Sequence, residues 1–319
     1  MTRLVSVLAA TILAATPLAA QDYIPDEVKL IVNFGAGGTT DTAARIIARS
    51  AAEQLGIEIV VMNQPGAGGT LGIAELAKSK GDGSVIGTVN MPAIAIIPQM
   101  RSVPYDPQGD LLQIAAVMPY EYAVFVRGDS PWQSWDDLVT AAQENPGTMT
   151  YGQVGTGTTN HLIMARIAKE AGIDWVDVPF QSGVEATSAL LGGHVDIINN
   201  TIASLVSSLE SGDVRALLIT SEERFSSVPE VPTMAEEGFG FSQVSWMSIA
   251  APAGLAEDKR KMLEDAFRAA VADPAVVEAT DKLDLHPRFI SGSDYEALLQ
   301  QMQAEWSPIL GEMGLASGN

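Results

Sequence analysis

Apolar and polar blocks alternate along the chain at the spacing of short strands and helices. An apolar run from Val28 to Phe34 ends in glycines, and the amphipathic stretch Thr42 to Leu55 follows it. The first pattern favours a buried strand and the second favours a helix. Because the same order recurs along the chain, the sequence predicts an α/β fold with a parallel sheet and right-handed crossovers.

The same patterns place ten strands and nine helices along the chain. The predicted strands cover residues 28–34, 57–62, 85–89, 112–118, 122–126, 149–152, 175–179, 195–198, 216–220 and 244–251. The predicted helices cover residues 42–55, 70–80, 135–144, 162–171, 184–191, 202–209, 257–272, 274–283 and 294–313. The first three strands are expected to end at one edge of a sheet, where open α/β sheets bind their ligands.

Two glycine-rich turns each join a strand to the start of a helix. Phe34 to Asp41 reads FGAGGTTD, and Tyr151 to His161 reads YGQVGTGTTNH. The first N–H groups of a helix lack partners within the helix, and the helix dipole adds positive potential there, so an anion suits this position. Glycines also occupy such turns for steric reasons alone. If the two turns face each other across a cleft, they would hold the two ends of a diacid.

The first 20 residues have the pattern of a secretory signal peptide. Arg3 provides a positive start, Leu4 to Ala15 is apolar but too short for an ordinary membrane helix, and Ala20 suits cleavage before Gln21. The chain contains no Cys, which excludes disulfides and a lipid-modified N-terminal cysteine. We therefore expect a periplasmic protein without a direct lipid anchor.

The chain is strongly acidic. Its formal net charge is −21, and removal of Arg3 with the signal peptide makes it −22 because that segment contains no acid. Nucleic acids and anionic lipids bind cationic faces, so neither is an expected partner. An anionic small molecule is still compatible with this charge. Exposed charges beyond a Debye length of about 8 Å are largely screened, whereas backbone donors in a cleft act at contact distance.

The residues that support catalysis or metal binding are scarce. The chain has three His and no Cys, and it contains neither an H-E-x-x-H pair nor a G-x-S-x-G nucleophile turn. The glycine turns also lack the Gly-Lys-Ser/Thr of a P-loop and do not complete G-x-G-x-x-G. We therefore expect no enzyme activity, no cofactor, no metal and no nucleotide.

Together, these segments resemble the substrate-binding proteins of tripartite tricarboxylate transporters, the Bug-type periplasmic receptors. The resemblance covers essentially the whole mature chain, and the order and spacing of its segments carry it. The segments are FGAGGTTD at 34–41, NQPGAGG at 63–69, PYDP at 104–107, YGQVGTGTTNH at 151–161, LGGHVD at 191–196, VPT at 231–233 before EG at 237–238, and APAG at 251–254.

The resemblance implies an α/β periplasmic binding protein of the venus-flytrap kind, type II-like, with two lobes and two crossings between them. Two crossings divide the mature chain into lobe 1, residues 21–124 and 225–319, and lobe 2, residues 125–224. Residues 1–20 are the predicted signal peptide. The resemblance also implies that the two glycine turns hold a carboxylate through backbone amides, hydroxyls and ordered waters.

The predicted ligand-binding residues come from these two turns and from polar residues at other strand ends. They are Phe34, Gly37, Gly38, Thr39, Thr40, Asp41, Asn90, Met91, Val154, Gly155, Thr156, Gly157, Thr158, Thr159, His161, Gln181, Ser182, Asn199 and Asn200.

Several of these residues also have a purely structural interpretation. Asp41 in a first helical turn is more often a helix cap than a ligand contact, and His161 is expected to order the second turn rather than act as a base. Family members often have two Ser where Gln153 and Val154 stand here, and a Val beside the carboxylate favours a more apolar substrate.

The resemblance implies a solute-binding protein that captures a small carboxylate, a di- or tricarboxylate, and delivers it to the membrane permease subunits of the transporter. The mature protein is expected to be a monomer. Two alternatives stay open at this point. One is a receptor that presents its ligand to a periplasmic signalling ectodomain, and the other is an exported hydrolase or transferase.

Overall fold

A computed structural model describes residues 24–221, 223–225, 227–241 and 244–317, so the predicted signal peptide lies outside the described residues. The strands are β1 (Glu27–Val32), β2 (Glu58–Asn63), β3 (Val85–Asn90), β4 (Leu111–Tyr120), β5 (Tyr122–Arg127), β6 (Thr150–Gln153), β7 (Val176–Pro179), β8 (Ile197–Thr201), β9 (Val214–Ile219), β10 (Ser245–Pro252) and β11 (Ile290–Ser291).

The helices alternate with these strands, which confirms the predicted α/β class. They are α1 (Thr39–Leu55), α2 (Thr70–Lys78), α3 (Met91–Ala95), α4 (Ile97–Met100), α5 (Trp135–Glu144), α6 (Thr159–Ala171), α7 (Gly183–Leu191), α8 (Val206–Glu210), α9 (Glu257–Val271), α10 (Pro274–Asp281) and α11 (Gly292–Glu312).

The strands form two separate mixed sheets. The first has the order β11-β4-β10-β3-β1-β2, and the second has the order β7-β6-β8-β5-β9. The sequence predicted parallel pairing, which holds for β1 with β2 and β3 and for β6 with β7 and β8. Strands β10 and β5 instead run antiparallel to both of their neighbours. Each is the first strand after the chain passes from one sheet to the other, so it starts at the edge where the parallel strands end.

The passages between the sheets lie close to the predicted lobe boundaries, but not at them. Glu121 alone separates β4 of the first sheet from β5 of the second, whereas the sequence placed the boundary after residue 124. On the return, the backbone of β9 pairs with Thr233, and Val228 packs in the core of the second sheet, whereas the sequence assigned residues from 225 onward to lobe 1. We therefore propose lobe boundaries at Glu121 and between residues 234 and 245.

Burial on both faces explains the apolar run from Leu30 to Val32 in β1. Leu30 and Val32 pack with α1 and α9 on one side, and Ile31 packs with Ile73 of α2 and with α11 on the other. A strand of a parallel sheet that is covered on both faces needs apolar residues at every position rather than at alternate ones.

Helix α1 begins earlier than the sequence pattern predicted, at Thr39, and α6 begins at Thr159 instead of residue 162. Thr39, Thr40 and Thr159 of the glycine turns therefore belong to first helical turns. The sequence did not predict α3, α4 or β11, and the predicted helix 202–209 is divided into a 3-10 turn, Ile202–Ser204, and α8.

Candidate functional site

The first glycine turn starts where β1 ends and leads directly into α1. Gly37 adopts φ +77°, a conformation that L residues rarely adopt, and its N–H donates to Asp41 Oδ2 over 2.9 Å. Gly38 is the N-cap of α1 in an extended conformation and provides no side-chain cap. The first-turn amides of α1 therefore have no side-chain acceptor at the N-cap position.

The second glycine turn repeats this arrangement at the start of α6. Gly157 adopts φ +88°, and its N–H donates to His161 Nδ1 over 3.3 Å. Thr158 is the extended N-cap residue, and its side chain does not cap the helix either. In both turns, a side chain accepts a hydrogen bond from the N–H of a glycine with positive φ. The acceptor is a carboxylate in the first turn and an imidazole in the second.

The two lobes meet across these turns. Thr39 Oγ1 lies 2.5 Å from Thr201 Oγ1, which belongs to β8 of the second sheet. A Cβ added to Gly155 would lie 2.9 Å from the Cα of Gly68, and one added to Gly35 would lie 3.1 Å from Ser182 Cβ. Glycine is needed at position 155 because the backbones of the two lobes come into contact there, in a closed arrangement.

A cavity of about 60 Å³ lies between the lobes at the start of both helices. None of the described residues that line it is charged, and their polar groups are Thr, Ser, Tyr and Asn side chains and backbone. An anion here would therefore be bound by neutral donors and by the two helix dipoles.

Ten of the predicted binding residues line this cavity: Phe34, Gly38, Thr39, Thr40, Asn90, Val154, Thr158, Thr159, Ser182 and Asn200. Ten more lining residues were missed by sequence reasoning: Gly35, Gly68, Pro92, Ala93, Tyr120, Tyr122, Asn160, Gly183, Thr201 and Ser245. Gly35, Gly68 and Asn160 belong to the quoted segments FGAGGTTD, NQPGAGG and YGQVGTGTTNH, so their places in those segments were an available signal. Tyr120, Tyr122 and Ser245 sit at the passages between the sheets, which sequence reasoning placed several residues away.

Nine predicted binding residues do not line the cavity: Gly37, Asp41, Met91, Gly155, Thr156, Gly157, His161, Gln181 and Asn199. Met91 is buried in the core around α2 and α11, with 1% of its surface exposed. Asn199 is buried behind the cavity, where its Nδ2 donates to Ala123 O. Gly155, Thr156 and Gln181 line a neighbouring cavity, together with Arg101.

Asp41 supports the first turn from beneath. Its carboxylate accepts from Gly37 N, from Arg45 Nε over 2.9 Å and from Asn63 Nδ2 over 2.8 Å. Burial by itself raises the pKa of Asp41, but the hydrogen bonds from Arg45, Gly37 and Asn63 together bring that pKa below its usual value. Asp41 is therefore an ionised residue that supports the turn, but it is not the cap of α1 that its structural interpretation predicted.

His161 supports the second turn in the same way. Because its Nδ1 accepts from Gly157 N, this nitrogen carries no proton in the arrangement described. Burial lowers the pKa of His161, and the negative charge of Asp177 opposes this effect only in part. The neutral imidazole orders the turn, and it lies outside the cavity lining, where a general base would have to be.

Two buried polar atoms in the cavity wall lack partners within the described residues. They are Oδ1 of Asn90 and Oγ of Ser245, whose residues are 7% and 1% exposed. Tyr120, from the same wall, is satisfied because its hydroxyl donates to Thr40 Oγ1 over 3.0 Å. Burial raises the pKa of Tyr120 far above its usual range, so this phenol stays protonated and remains a donor.

The described residues lack a metal-ligand cluster and a membrane-spanning helix. They contain no cluster of three or more His, Cys, Asp or Glu side chains that could hold a metal ion. In the same part of the chain, no helix is both long and apolar enough to cross a membrane.

A sequence model of the family described as "Tripartite tricarboxylate transporter family receptor" matches residues 43–315. The chain belongs to this family. A relative from Cupriavidus necator, "UPF0065 protein in gbd 5'region", is 33% identical over 306 residues, which cover 95% of this chain and 93% of the relative. The predicted resemblance to Bug-type receptors is confirmed, and the family consists of substrate-binding receptors rather than enzymes.

Several solved structures share the fold of this chain. The structure titled "Structure of periplasmic binding protein BugD" has a TM-score of 0.87 at 27% identity, covering 92% of this chain and 99% of that chain. "R. palustris Rpa4515 with adipate" has a TM-score of 0.86 at 26% identity, covering 91% and 98%. "MatC (Rpa3494) from Rhodopseudomonas palustris with bound malate" has a TM-score of 0.82 at 26% identity, covering 89% and 98%. These matches confirm the two-lobe periplasmic-binding-protein fold.

Proposed function

We propose that this receptor captures a small di- or tricarboxylate between its lobes and delivers it to the membrane permease of a tripartite transporter. The observation that carries the proposal is the convergence of α1 and α6, from opposite lobes, on one cavity without charged side chains. The two related receptors solved with adipate and with malate support a carboxylate ligand.

Neutral donors are sufficient for useful affinity. A hydrogen bond to a charged group contributes about 1.5 to 3 kcal/mol net, and each helix start provides several N–H groups for one carboxylate. A micromolar Kd corresponds to about −8 kcal/mol, which a few such bonds supply after the cost of association. The binding energy also favours the closed arrangement, since both lobes must contribute donors at once.

Isothermal titration of residues 21–319 with succinate, malate, glutarate, adipate and citrate tests the carboxylate proposal. Each acid is paired with its amide as a matched neutral ligand. We expect at least one acid to bind with a micromolar or lower Kd and its amide to bind at least about tenfold more weakly, because the amide lacks the charge that strengthens each bond. Heat signals absent for every acid, or equal for acid and amide, would contradict the proposal.

Delivery to a permease needs a cellular test. In cells that depend on this receptor, uptake of the labelled acid should disappear when either the receptor gene or the genes for the large and small permease subunits are deleted. Loss of a transcriptional response to the acid with uptake unchanged would instead support the signalling alternative.

The export proposal concerns residues outside the described part of the chain. We propose that the signal peptide is removed after Ala20, which releases the receptor into the periplasm as a monomer. Intact mass spectrometry of the periplasmic fraction should give a chain that starts at Gln21, and light scattering should give the mass of one chain. A chain that still carries residues 1–20 would contradict removal of the signal peptide. The mass of two chains would contradict the monomer.

A further inference from the structure

The wall of the cavity contributed by lobe 1 contains two polar atoms that the protein itself does not satisfy. Asn90 Oδ1 and Ser245 Oγ are both buried and have no hydrogen bond of normal geometry within the described residues, although the Tyr122 hydroxyl lies close enough to the Ser245 side chain to interact with it. Buried polar groups in proteins nearly always have partners, so two such atoms in the wall of one cavity indicate a role toward whatever fills it.

Asn90 lies at the start of a helix, where its Oδ1 would usually accept a hydrogen bond from the backbone. Asn90 is the N-cap residue of α3, where an Asn side chain usually accepts from a first-turn amide, but it makes no such bond. One of the possible donors is missing because Pro92, the second residue of that helix, has no N–H. The side chain lines the cavity instead.

Strand pairing brings the two residues to one face of the sheet. Asn90 pairs with Met247 of β10, and Ser245 lies two residues before Met247 on the same strand. Residues at positions i and i+2 of a strand share a face, and such diagonal neighbours are about 7 to 8 Å apart. A single small group in the cavity can therefore contact both side chains.

We propose that the ligand is a hydroxy-substituted carboxylate whose hydroxyl binds between Asn90 and Ser245. This inference rests on the proposed function, because the helix starts must already hold the carboxylates. An ionised carboxylate only accepts hydrogen bonds, so it cannot satisfy Asn90 Oδ1. A hydroxyl donates to Asn90 Oδ1 and accepts from the Ser245 hydroxyl, and so satisfies both atoms.

The surroundings favour a hydroxyl over an ammonium group. An ammonium group can also donate to Asn90, but none of the described lining residues carries a negative charge to balance it. The positive ends of α1 and α6 face the same cavity, which disfavours a cation further. The apolar substrate predicted from Val154 concerns the opposite wall, formed by lobe 2, and leaves the lobe 1 wall free to recognise a polar substituent.

Water is the competing partner for these two atoms. A well-ordered water is replaced without loss only by a ligand group that reproduces its hydrogen bonds. A hydroxyl reproduces these hydrogen bonds. The CH₂ group of an unsubstituted acid does not, so the two atoms either lose their partner or keep the water, which then needs space beside the ligand. A site with a buried partner for a ligand hydroxyl therefore discriminates strongly against the analogue that lacks it.

Titrations with acids matched in chain length test the inference. The pairs are succinate with malate and glutarate with 2-hydroxyglutarate, and aspartate is added as the amino analogue of malate. In whichever pair binds, we expect the hydroxy acid to have at least about a tenfold lower Kd than its unsubstituted partner. Aspartate is expected to bind more weakly than malate.

Variants of the wall connect this preference to the two residues. Asn90→Ala and Ser245→Ala should each reduce the hydroxy-acid preference, the ratio of the two Kd values, to about threefold or less, whether or not the affinity for the unsubstituted acid also falls. Retained binding of the unsubstituted acid also shows that the variant is folded. Tyr295→Phe is the matched control, because it removes another buried, unpartnered hydroxyl that does not line the cavity. It should leave both affinities unchanged.

The possible outcomes separate this inference from the proposed function. Equal affinity within the pair that binds, or tighter binding of the unsubstituted acid, overturns the inference and leaves carboxylate capture standing. This result is expected if the Asn90 amide is turned over so that its Nδ2 donates to the ligand. A preference that persists in both wall variants also overturns it. Failure of every acid to bind overturns the proposed function itself.

Discussion

Thr39 and Thr201 join the two lobes through their hydroxyl groups, with 2.5 Å between the two Oγ1 atoms. Thr201 Oγ1 donates to Ser204 Oγ over 3.2 Å, and the Ser204 hydroxyl donates to Thr201 O over 2.7 Å. The Thr201 proton is therefore engaged within lobe 2, which makes Thr39 the donor across the cleft. The chain of hydroxyls exists only when the lobes are closed.

A double-mutant cycle on Thr39→Val and Thr201→Val measures this contact. Each single variant should weaken carboxylate binding about fivefold, corresponding to about 1 kcal/mol for one neutral hydrogen bond. Isothermal titration of the double variant should show a coupling energy of about 1 kcal/mol, because the second substitution removes a bond that is already lost. Additive effects would mean that the two hydroxyls act independently, for example by each contacting the ligand.

Gly155→Ala should block closure of the lobes. Gly155 has φ +113°, and an added Cβ would lie 2.9 Å from Gly68 Cα, where neither backbone can move aside cheaply. We expect at least about a tenfold loss of affinity, since the closed state loses about 1.4 kcal/mol or more.

Gly172→Ala provides the matched control for this closure variant. Gly172 ends α6 with φ +65°, and a Cβ added there would meet no neighbouring atom within 4 Å, so the variant carries a similar backbone strain far from the cleft. Its ligand affinity should equal that of the parent protein. Equal affinities for the two Ala variants would contradict the closed arrangement.

Acid should loosen the second glycine turn through His161. Because burial lowers the pKa of His161 in the folded state, the folded protein binds this proton less readily than the unfolded chain. Its contribution to stability is fully present above the unfolded pKa of about 6.5 and is lost as the pH falls through the folded value. The Tm should therefore fall more steeply between pH 7 and pH 5 in the parent than in His161→Gln.

The control for this pH effect is His286→Gln, because His286 lies outside the cavity with 46% of its side chain exposed. This variant should retain the steep parental slope of Tm against pH. If the Tm of His161→Gln falls with pH as steeply as the Tm of the parent, groups other than His161 cause the acid sensitivity.

Asp41→Asn should destabilise lobe 1 at neutral pH by about 2 kcal/mol, because a buried carboxylate that accepts three hydrogen bonds loses its charge. The folded-state pKa of Asp41 is lowered, so this contribution is present above the unfolded pKa of about 3.9 and lost as the pH falls through the folded value. Urea unfolding should show a larger difference between variant and parent at pH 7 than at pH 3.

Arg45→Ala separates the ion pair from the turn contacts of Asp41. The Arg45 side chain is 45% exposed, so its pair with Asp41 is partly screened and should contribute less than about 1 kcal/mol. A loss in Arg45→Ala as large as that in Asp41→Asn would show that the ion pair, and not the bonds to Gly37 and Asn63, carries the effect.

The local pattern of the chain was sufficient to predict the fold class and both glycine turns. Glycines at the ends of apolar runs identify positions such as Gly37 and Gly157, because few other residues adopt their backbone angles. The N-terminal ends of α1 and α6 were predicted less well, since Thr, Asn and His in a first turn carry a weaker helical signal than the apolar residues that follow.

The inner surface of the cavity was harder to predict. Met91 and Asn90 are neighbours at the end of β3, but one is buried in the lobe 1 core and the other lines the cavity. Alternate residues of a strand face opposite sides of the sheet. This alternation stops between Asn90 and Met91, because β3 ends at the first and α3 begins at the second. Tyr120 and Ser245 lie where the chain passes between the sheets, and the positions of these passages depend on tertiary pairing.

The two glycine turns have nearly the same backbone shape although they belong to different lobes. A guest with identical ends would accordingly fit in two directions with little difference in energy, and the turns alone would not distinguish its head from its tail. The asymmetry has to come from the side of the cavity. With Asn90 and Ser245 only in the lobe 1 wall, the substituent of an unsymmetrical acid would decide which side of the acid faces lobe 1, and its mirror-image form could present the same substituent to this wall by binding in the reversed direction.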